Sequence, residues 1–355
     1  MARRAADAPL RVLAWPGLGT REKNPYTWLL YSHLAALGVR VSDLTPARAL
    51  RGGYEVLHVH WPEKALNAAP LLGRVAGAFA ALTMLQAARF HGARVVWTAH
   101  NARPHESRHP RLEAWYRSVV VRWVDTVIHP SVAGQQAVEA IYPDLARRPH
   151  AVVPLGHFRG VYPDSVSREE ARAASGISDR ARVVAFLGLV RAYKNVPHLV
   201  RTVRALPPEA GEVVLLVGGA PHPAALADEV REAAGGDPRV RLTLEHVPDD
   251  DVQRYFRAAD LVALPFRDIT NSASALLALS FDRPVLVPAL GAMGELQALA
   301  GADWVCTYEG DLTPEILARA LDWAARRPPG GPPLDALEWP EIARQTLSMY
   351  LAGSR

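Results

Sequence analysis

Residues 182–206 read RVVAFLGLVRAYKNVPHLVRTVRAL, and this stretch decides the fold. Its first part, RVVAFLGLV (182–190), is a short, nearly unbroken apolar run, the pattern of a strand buried on both faces. A longer, helical periodicity follows it. Arg191 and Lys194 fall between the two, just past the strand and at the start of the helix. Two cations beside a helix N-terminus form a site for a diphosphate, because the free N–H groups and the helix dipole add to their attraction. A solvated loop accounts for an Arg and a Lys equally well.

Outward from this unit the alternation of strand and helix covers the chain. Toward the C-terminus come EVVLLVGG (212–219), VRLTLEHV (240–247), LVALPF (261–266), RPVLVPA (283–289) and WVCTY (304–308). Toward the N-terminus lie RVLAWP (11–16), VLHVHW (56–61), RVVWTAH (94–100), TVIHPS (126–131) and AVVPLGH (151–157). Helical stretches separate them, near 25–38, 68–91 and 110–123. Strands separated by helices imply parallel sheets covered on both faces. The fold class expected is therefore α/β, with two Rossmann-like domains at residues 1–160 and 178–335. A final helix in 336–355 follows the Pro/Gly break PPGGPP.

Composition narrows the function classes. A length of 355 residues with 49% apolar content suits two cores. No uninterrupted apolar run reaches membrane-spanning length, and the N-terminus enters a strand too soon for a signal peptide. The single cysteine, Cys306, cannot form an internal disulfide, which suggests a reducing cytoplasm. Net charge is +4, yet residues 1–158 hold nineteen Lys/Arg against ten Asp/Glu, a local +9 that leaves −5 for the rest. Such a basic half suits an anionic membrane surface, a phosphorylated substrate or simple solvation. Nucleic acid is disfavoured as a partner, because the arginines are scattered and no recognition motif accompanies them.

The second half carries further loop signals. Gly218 and Gly219 in VGGAPHP let backbone approach a planar ligand, or merely turn the chain. In HVPDDDVQRYF, Asp249 to Asp251 fall in the first turn of a helix, with Val247 before it at a strand end. In PFRDITNSASALLALSFDRPVLVP (265–288), Asn271, Ser272 and Ser274 mark a helix start that can receive a pyrophosphate or simply be capped.

Taken in order, FLGLVRAYKNVPHLVRTVRAL, VGG, HVPDDDVQRYFRAADLVALPF and RPVLVP resemble the donor domain of GT-B glycosyltransferases. VLHVHWPE and VVWTAHN resemble the strands flanking the cleft in that group, and EWPEIARQTLSMYLAG resembles its terminal helix, which packs back on the first domain. The resemblance implies a nucleotide diphosphate sugar as co-substrate, with no cofactor and no bound metal. It places donor phosphates on Arg191 and Lys194 and the nucleotide base near Gly218 and Val247. Retaining members carry two glutamates eight residues apart in the 265–288 segment. Here those places hold Ile269 and Leu277, neither of which can accept a ribose hydrogen bond. That departure, with the HVHWPE and TAHNARPHE loops, resembles bacterial exopolysaccharide β-mannosyltransferases of the xanthan type. GDP-mannose, an inverting displacement and a saccharide or polyprenyl-diphosphate-linked saccharide acceptor are then implied. A retaining transferase of a natural-product or glycolipid pathway, and a degenerate binding subunit, are the alternatives.

In the first half, His58 and His60 share one face of a strand, where they could hold a metal, but no third ligand is evident. Inverting transfer needs a base to take the acceptor hydroxyl proton. Glu106 and Glu63 have that chemistry, and His105 could orient either or serve instead. The resemblance places His100 beside the donor sugar. No G-x-S-x-G elbow occurs, which disfavours a serine hydrolase. Gly17 and Gly19 lie between a strand and a helix without completing a G-x-G-x-x-G pattern. They suit a loop under the donor phosphates or beside the acceptor, or a tight turn. The apolar stretch around 69–94, with Arg74, Arg89 and Arg94, is expected to present a face to an anionic inner membrane leaflet or to lie buried on the sheet.

Overall fold

The structure is a computed structural model and describes residues 8–21, 24–67, 70–103 and 109–352. The chain divides into one unit of residues 1–156 with 337–355 and a second of residues 157–336.

Unit 1 is a six-stranded sheet of β1 (Arg11–Trp15), β2 (Arg40–Asp43), β3 (Val56–Val59), β4 (Arg94–Thr98), β5 (Thr126–His129) and β6 (His150–Val152). All pairs are parallel, in the order β2-β1-β3-β4-β5-β6. β3 and β5 are buried at every position, as expected for parallel strands with helices on both faces. The helices are α1 (Pro25–Ala36), α2 (Pro46–Arg51), α3 (Leu71–Phe90), α4 (Pro110–Trp123) and α5 (Val132–Ile141). Asn24, Thr45 and Ser131 start α1, α2 and α5 by accepting from the N–H of Tyr26, Arg48 and Gly134, which satisfies otherwise orphaned donors.

The C-terminal helix Trp339–Leu351 belongs to this unit. Arg94 donates to its carbonyls at Tyr350 and Ala352, the latter at 2.6 Å. Trp339 packs edge-on to Tyr26 of α1, with ring centroids 5.6 Å apart. A Cβ at Gly156 would lie 2.4 Å from the Trp339 ring, so only glycine fits beneath it.

Unit 2 repeats the plan with β7 (Arg182–Leu187), β8 (Val213–Gly218), β9 (Val240–Thr243), β10 (Leu261–Ala263), β11 (Val285–Pro288) and β12 (Val305–Tyr308). Their order is β12-β11-β10-β7-β8-β9, again all parallel. Its helices are α6 (Arg168–Ala174), α7 (Val196–Arg204), α8 (Leu226–Ala234), α9 (Asp249–Ala258), α10 (Ala273–Ser280), α11 (Met293–Ala300) and α12 (Pro314–Ala325). Ser167 and Glu170 form a reciprocal capping box at the start of α6. The fully buried Arg172 then donates to Ala258 O, Ala181 O and the Asp260 carboxylate, tying α6 to α9 and to the start of β7. Truncating one partner of such a pair typically costs about 3–5 kcal/mol, because the other charge is left uncompensated.

Each sheet reverses its strand order once, between β1 and β3 in unit 1 and between β7 and β10 in unit 2. Crevices open at the carboxyl ends of the strands at such switch points, so these are the two places to search for a site.

Candidate functional site

At the β7/β10 switch point, β7 ends at Leu187 and the chain passes Gly188 and Arg191 into a turn at Ala192–Lys194. Lys194 is buried. A Cβ placed on Gly188 would sit 3.2 Å from Lys194 Nζ and 3.5 Å from Ser274 Oγ. Lysine from one side of the switch and serine from the other therefore converge beside a residue with no side chain. Burial first, and the positive charge of Arg191 second, push the Lys194 ammonium down to about 8. It stays protonated at neutral pH, with the Phe186 ring 5.7 Å from Nζ as partial compensation. A buried ammonium beside another cation attracts an anion.

The other expected donor contacts divide. Ser274 joins Lys194, and Asn271 is half-buried one residue before Ser272. Ser272 accepts from Ala275 N at 3.0 Å and so serves as the N-cap of α10, the plainer of its two expected roles. A Cβ on Gly218 would lie 2.6 Å from the Tyr255 ring and 2.8 Å from Leu187 Cδ1, so packing inside the unit is one reason for glycine there. Val247 lines a cavity of about 670 Å³ at the end of β9, with Thr243, Glu245, His246, Arg254 and Tyr255.

At the β1/β3 switch point the site is a cluster of uncharged rings. His58 and His60 leave β3 on one face, as alternate residues of a strand must. Tyr31 of α1 reaches both, with its hydroxyl 3.0 Å from His58 Nδ1 and 2.7 Å from His60 Nε2. Tyr350 of the C-terminal helix meets His58 Nδ1 at 2.6 Å, and His58 Nε2 meets Thr98 Oγ1 at 2.8 Å. His60 Nδ1 lies 3.1 Å from His100 Nε2. Trp61 stacks on His100 at 4.4 Å between centroids, and Lys64 lies over Trp61. Burial pushes His58 and His100 down to about 3 and drives His60 well below its usual value, so all three imidazoles are neutral at physiological pH. Among the described residues no group of three His, Cys, Asp or Glu could hold a metal ion. The nitrogens of His58 and His60 are spent on hydrogen bonds.

Glu63 sits in a turn after β3 (Pro62–Leu66), half-buried, with Arg117 Nη2 4.0 Å from its carboxylate. His105 and Glu106 lie outside the described residues. The N–H groups of Gly17 and Gly19 donate to Asp43 Oδ1 at 3.1 and 3.4 Å, and a Cβ on Gly17 would lie 2.6 Å from that same oxygen, contacts that suit the tight turn.

The apolar helix expected at a membrane face is α3. By length and composition it could cross a bilayer, but Ala78, Ala81, Leu82, Leu85 and Ala88 are buried against its own unit. Its outward side shows Leu71, Leu72, Phe79 and Phe90. Of the three arginines expected to face anionic lipid, one is buried and two bond within the unit. Arg74 is buried, Arg89 donates to Trp123 O and Asp125, and Arg94 holds the C-terminal helix.

Tyr31, Tyr350, Asp43 and Gly188 were not singled out by the sequence. Only Tyr31 carried a hint, as a polar-tipped residue within the apolar α1 stretch. The Tyr350–His58 contact spans 292 residues, and no local pattern announces it.

Known proteins share this architecture. Over 96% of this chain and 98% of its own, sucrose-phosphate synthase from Thermosynechococcus elongatus superposes with a TM-score of 0.69 at 14% identity. The HepE protein of Anabaena, solved in complex with UDP-glucose, gives 0.65 at 15% identity over 96% and 97% of the two chains. The fold is therefore GT-B, two parallel six-stranded α/β units. Residues 181–326 match the family described as glycosyl transferases group 1. The chain is also 31% identical, over 98% of its length and 94% of the relative's, to a GDP-mannose:glycolipid 4-β-D-mannosyltransferase of Xanthomonas campestris pv. campestris. It belongs to this glycosyltransferase family.

Proposed function

We propose that the protein transfers mannose from GDP-mannose, with inversion, to a lipid-linked saccharide. The observation that carries this reading is the near full-length identity to the Xanthomonas enzyme named for that donor and a glycolipid acceptor. The β7/β10 site supports it physically, because Lys194 and Ser274 converge where a donor diphosphate would lie, and Arg191 precedes them. Ile269 and Leu277 in place of two glutamates favour inversion over retention. The reaction needs no resident metal in this reading, since Lys194, Arg191 and the N-terminus of α10 carry the charge that leaves with the nucleotide diphosphate.

In unit 1, Glu106 is the proposed base that removes the acceptor hydroxyl proton, with Glu63 next and His105 as orienting group or substitute. Glu63 ranks below Glu106 because Arg117 faces its carboxylate. In this reading His100, neutral and buried, lies beside the donor sugar, the role its resemblance to the histidine of similar enzymes implies. A panel of UDP- and GDP-sugars, with the anomeric configuration of the product read by NMR, tests donor and stereochemistry together. Donor binding without turnover on any acceptor would favour a binding subunit.

A lipid-linked acceptor places the work at the inner face of the plasma membrane. With Arg74 buried and Arg89 and Arg94 engaged, the proposed contact is the outward side of α3, where Phe79 lies 6.1 Å from the exposed Trp115 of α4. Other arginines of the basic unit add attraction worth about 1 kcal/mol each near an anionic surface, screened by salt. Co-sedimentation with anionic vesicles should fall as salt rises and fall again in Phe79→Ser. No binding at low salt would point to an acceptor met in solution.

A further inference from the structure

The helix that follows β3 begins without an answer to its own charge. Pro70 stands at the N-cap of α3 and makes no side-chain cap hydrogen bond, and the first turn holds no acid. The first bond into the helix runs from Arg74 N to Pro70 O at 3.1 Å. The N–H groups of Leu71, Leu72 and Gly73 precede it, so none has an intrahelical partner. Over a helix of 20 residues the peptide dipoles add a partial positive charge at this end. The first charged side chain there is another cation.

That cation is Arg74, and it is unpaired. It is 6% exposed, its Nε is buried without a hydrogen bond, and among the described residues its side chain has no hydrogen-bond or ion-pair partner. A guanidinium stays charged, and burying one alone is costly. Helical side chains lean toward the N-terminus, so a first-turn arginine carries its charge to the same end as the free N–H groups. Two separate features therefore call for an anion at one place.

The neighbours select the kind of anion. Leu71 and Leu72 are 52% and 84% exposed at this terminus, and Phe79 continues the apolar outward side of α3. An anion bound here has hydrocarbon surface beside it, which suits a phosphate carried on a lipid chain better than a free one. The location suits the acceptor. α3 begins at the carboxyl end of β3 and lies directly on the turn Pro62–Leu66, where a Cβ at Gly77 would be 2.1 Å from Ala65 O. The carboxylate of that turn, Glu63, lies 4.0 Å from Arg117 of α4 and does not pair with Arg74.

We propose that the N-terminus of α3 and Arg74 bind the phosphate end of the acceptor, a saccharide joined through diphosphate to a prenyl chain. The chain lies along Leu71 and Leu72, and the saccharide is directed toward the β1/β3 crevice. The proposal rests on the reading above that the acceptor is lipid-linked, and it adds the group by which that lipid is recognised.

Farnesyl diphosphate is the probe, titrated into the full-length protein by calorimetry with GDP as control. Wild type should bind it more tightly than inorganic diphosphate and should not bind farnesol. Arg74→Met should weaken farnesyl diphosphate by about tenfold or more, the scale of a lost hydrogen bond to a charged group, with GDP affinity within about twofold. Should Arg74→Met fail to fold, Leu72→Asp must give the same loss, because an exposed first-turn acid suits the helix but repels phosphate. In turnover, either variant should raise KM for a prenyl-diphosphate-linked saccharide and leave kcat unchanged. Unchanged farnesyl diphosphate affinity in a folded variant would overturn the inference. If that variant also lost binding to anionic vesicles, the site would belong to a bilayer phospholipid instead. Equal wild-type affinity for inorganic diphosphate would overturn the lipid assignment. Transfer to a chain-free saccharide as efficient as to the lipid-linked one would instead overturn the lipid-linked reading itself, before any variant is made.

Discussion

The two switch points hold the same place in the same topology, yet they treat buried polar groups in opposite ways. In unit 1, burial drives three imidazoles to neutrality, and their nitrogens hydrogen-bond to tyrosines, a threonine and one another. In unit 2, burial lowers Lys194 only to about 8, so a charge remains beside a second cation. A buried ammonium kept without full compensation costs stability, and it is tolerated where a ligand supplies the missing anion. The first site is complete without charge. In the proposed reaction the second would be completed by the donor diphosphate, and the division would then match two jobs of a sugar transfer, acceptor activation and stabilisation of the leaving group.

The largest test of this contrast is acid. Folded His58 and His100 resist protonation until about 3, whereas unfolded histidine takes a proton near 6.5. The unfolded state therefore binds more protons between those values, and stability is lost as pH falls through that window. The slope is on the order of 1 kcal/mol per pH unit for each imidazole that stays neutral. Hydrogen exchange followed by mass spectrometry should show unit 1 losing protection first as pH drops from 6.5. Equal loss in both units would show that the buried imidazoles do not control it.

Next in size is the proposed base. Glu106→Gln removes only proton acceptance, so turnover should fall by about a hundredfold or more with donor affinity nearly unchanged. An undiminished rate in both Glu106→Gln and Glu63→Gln would move the role to a histidine. In unit 2 the split should invert. Lys194→Ala and Arg191→Ala should each weaken donor binding by about 1.5–3 kcal/mol, the scale of a hydrogen bond to a charged group. Calorimetry with GDP reads this directly, and normal affinity in both variants would end the phosphate assignment.

How far these sites were legible depends on the range of the contacts that make them. The β/α alternation was legible because buried parallel strands demand unbroken Val and Leu, and α4 falls on the expected 110–123. Lys194 and Ser274 could be singled out because each lies near the start of a helix that follows a strand, a local position. The packing around Gly17 and Gly218 was not legible, because a glycine looks the same in sequence whether it admits a ligand, Asp43 or the ring of Tyr255. The partners of the histidines could not be read at all, since Tyr31 and Tyr350 meet His58 only through tertiary packing.

The smallest effect is the sharpest check on the unit 2 half of the comparison. A lysine with its folded value lowered from 10.5 to about 8 gives up its proton in the folded state while the unfolded chain still holds one. Stability therefore rises with pH between those values, by about 1 kcal/mol from pH 8 to 9. The anomaly is the alkaline gain that wild type shows over Lys194→Met, which has no ammonium to lose and removes the background of other titrating groups. Bound GDP places negative charge beside the ammonium and raises its value again, so the gain over Lys194→Met should shift to higher pH or disappear in the complex. Thermal melts of both proteins, with and without GDP, read the difference. If wild type and Lys194→Met keep the same slope in every condition, Lys194 is an ordinary exposed lysine and the site is not waiting for an anion.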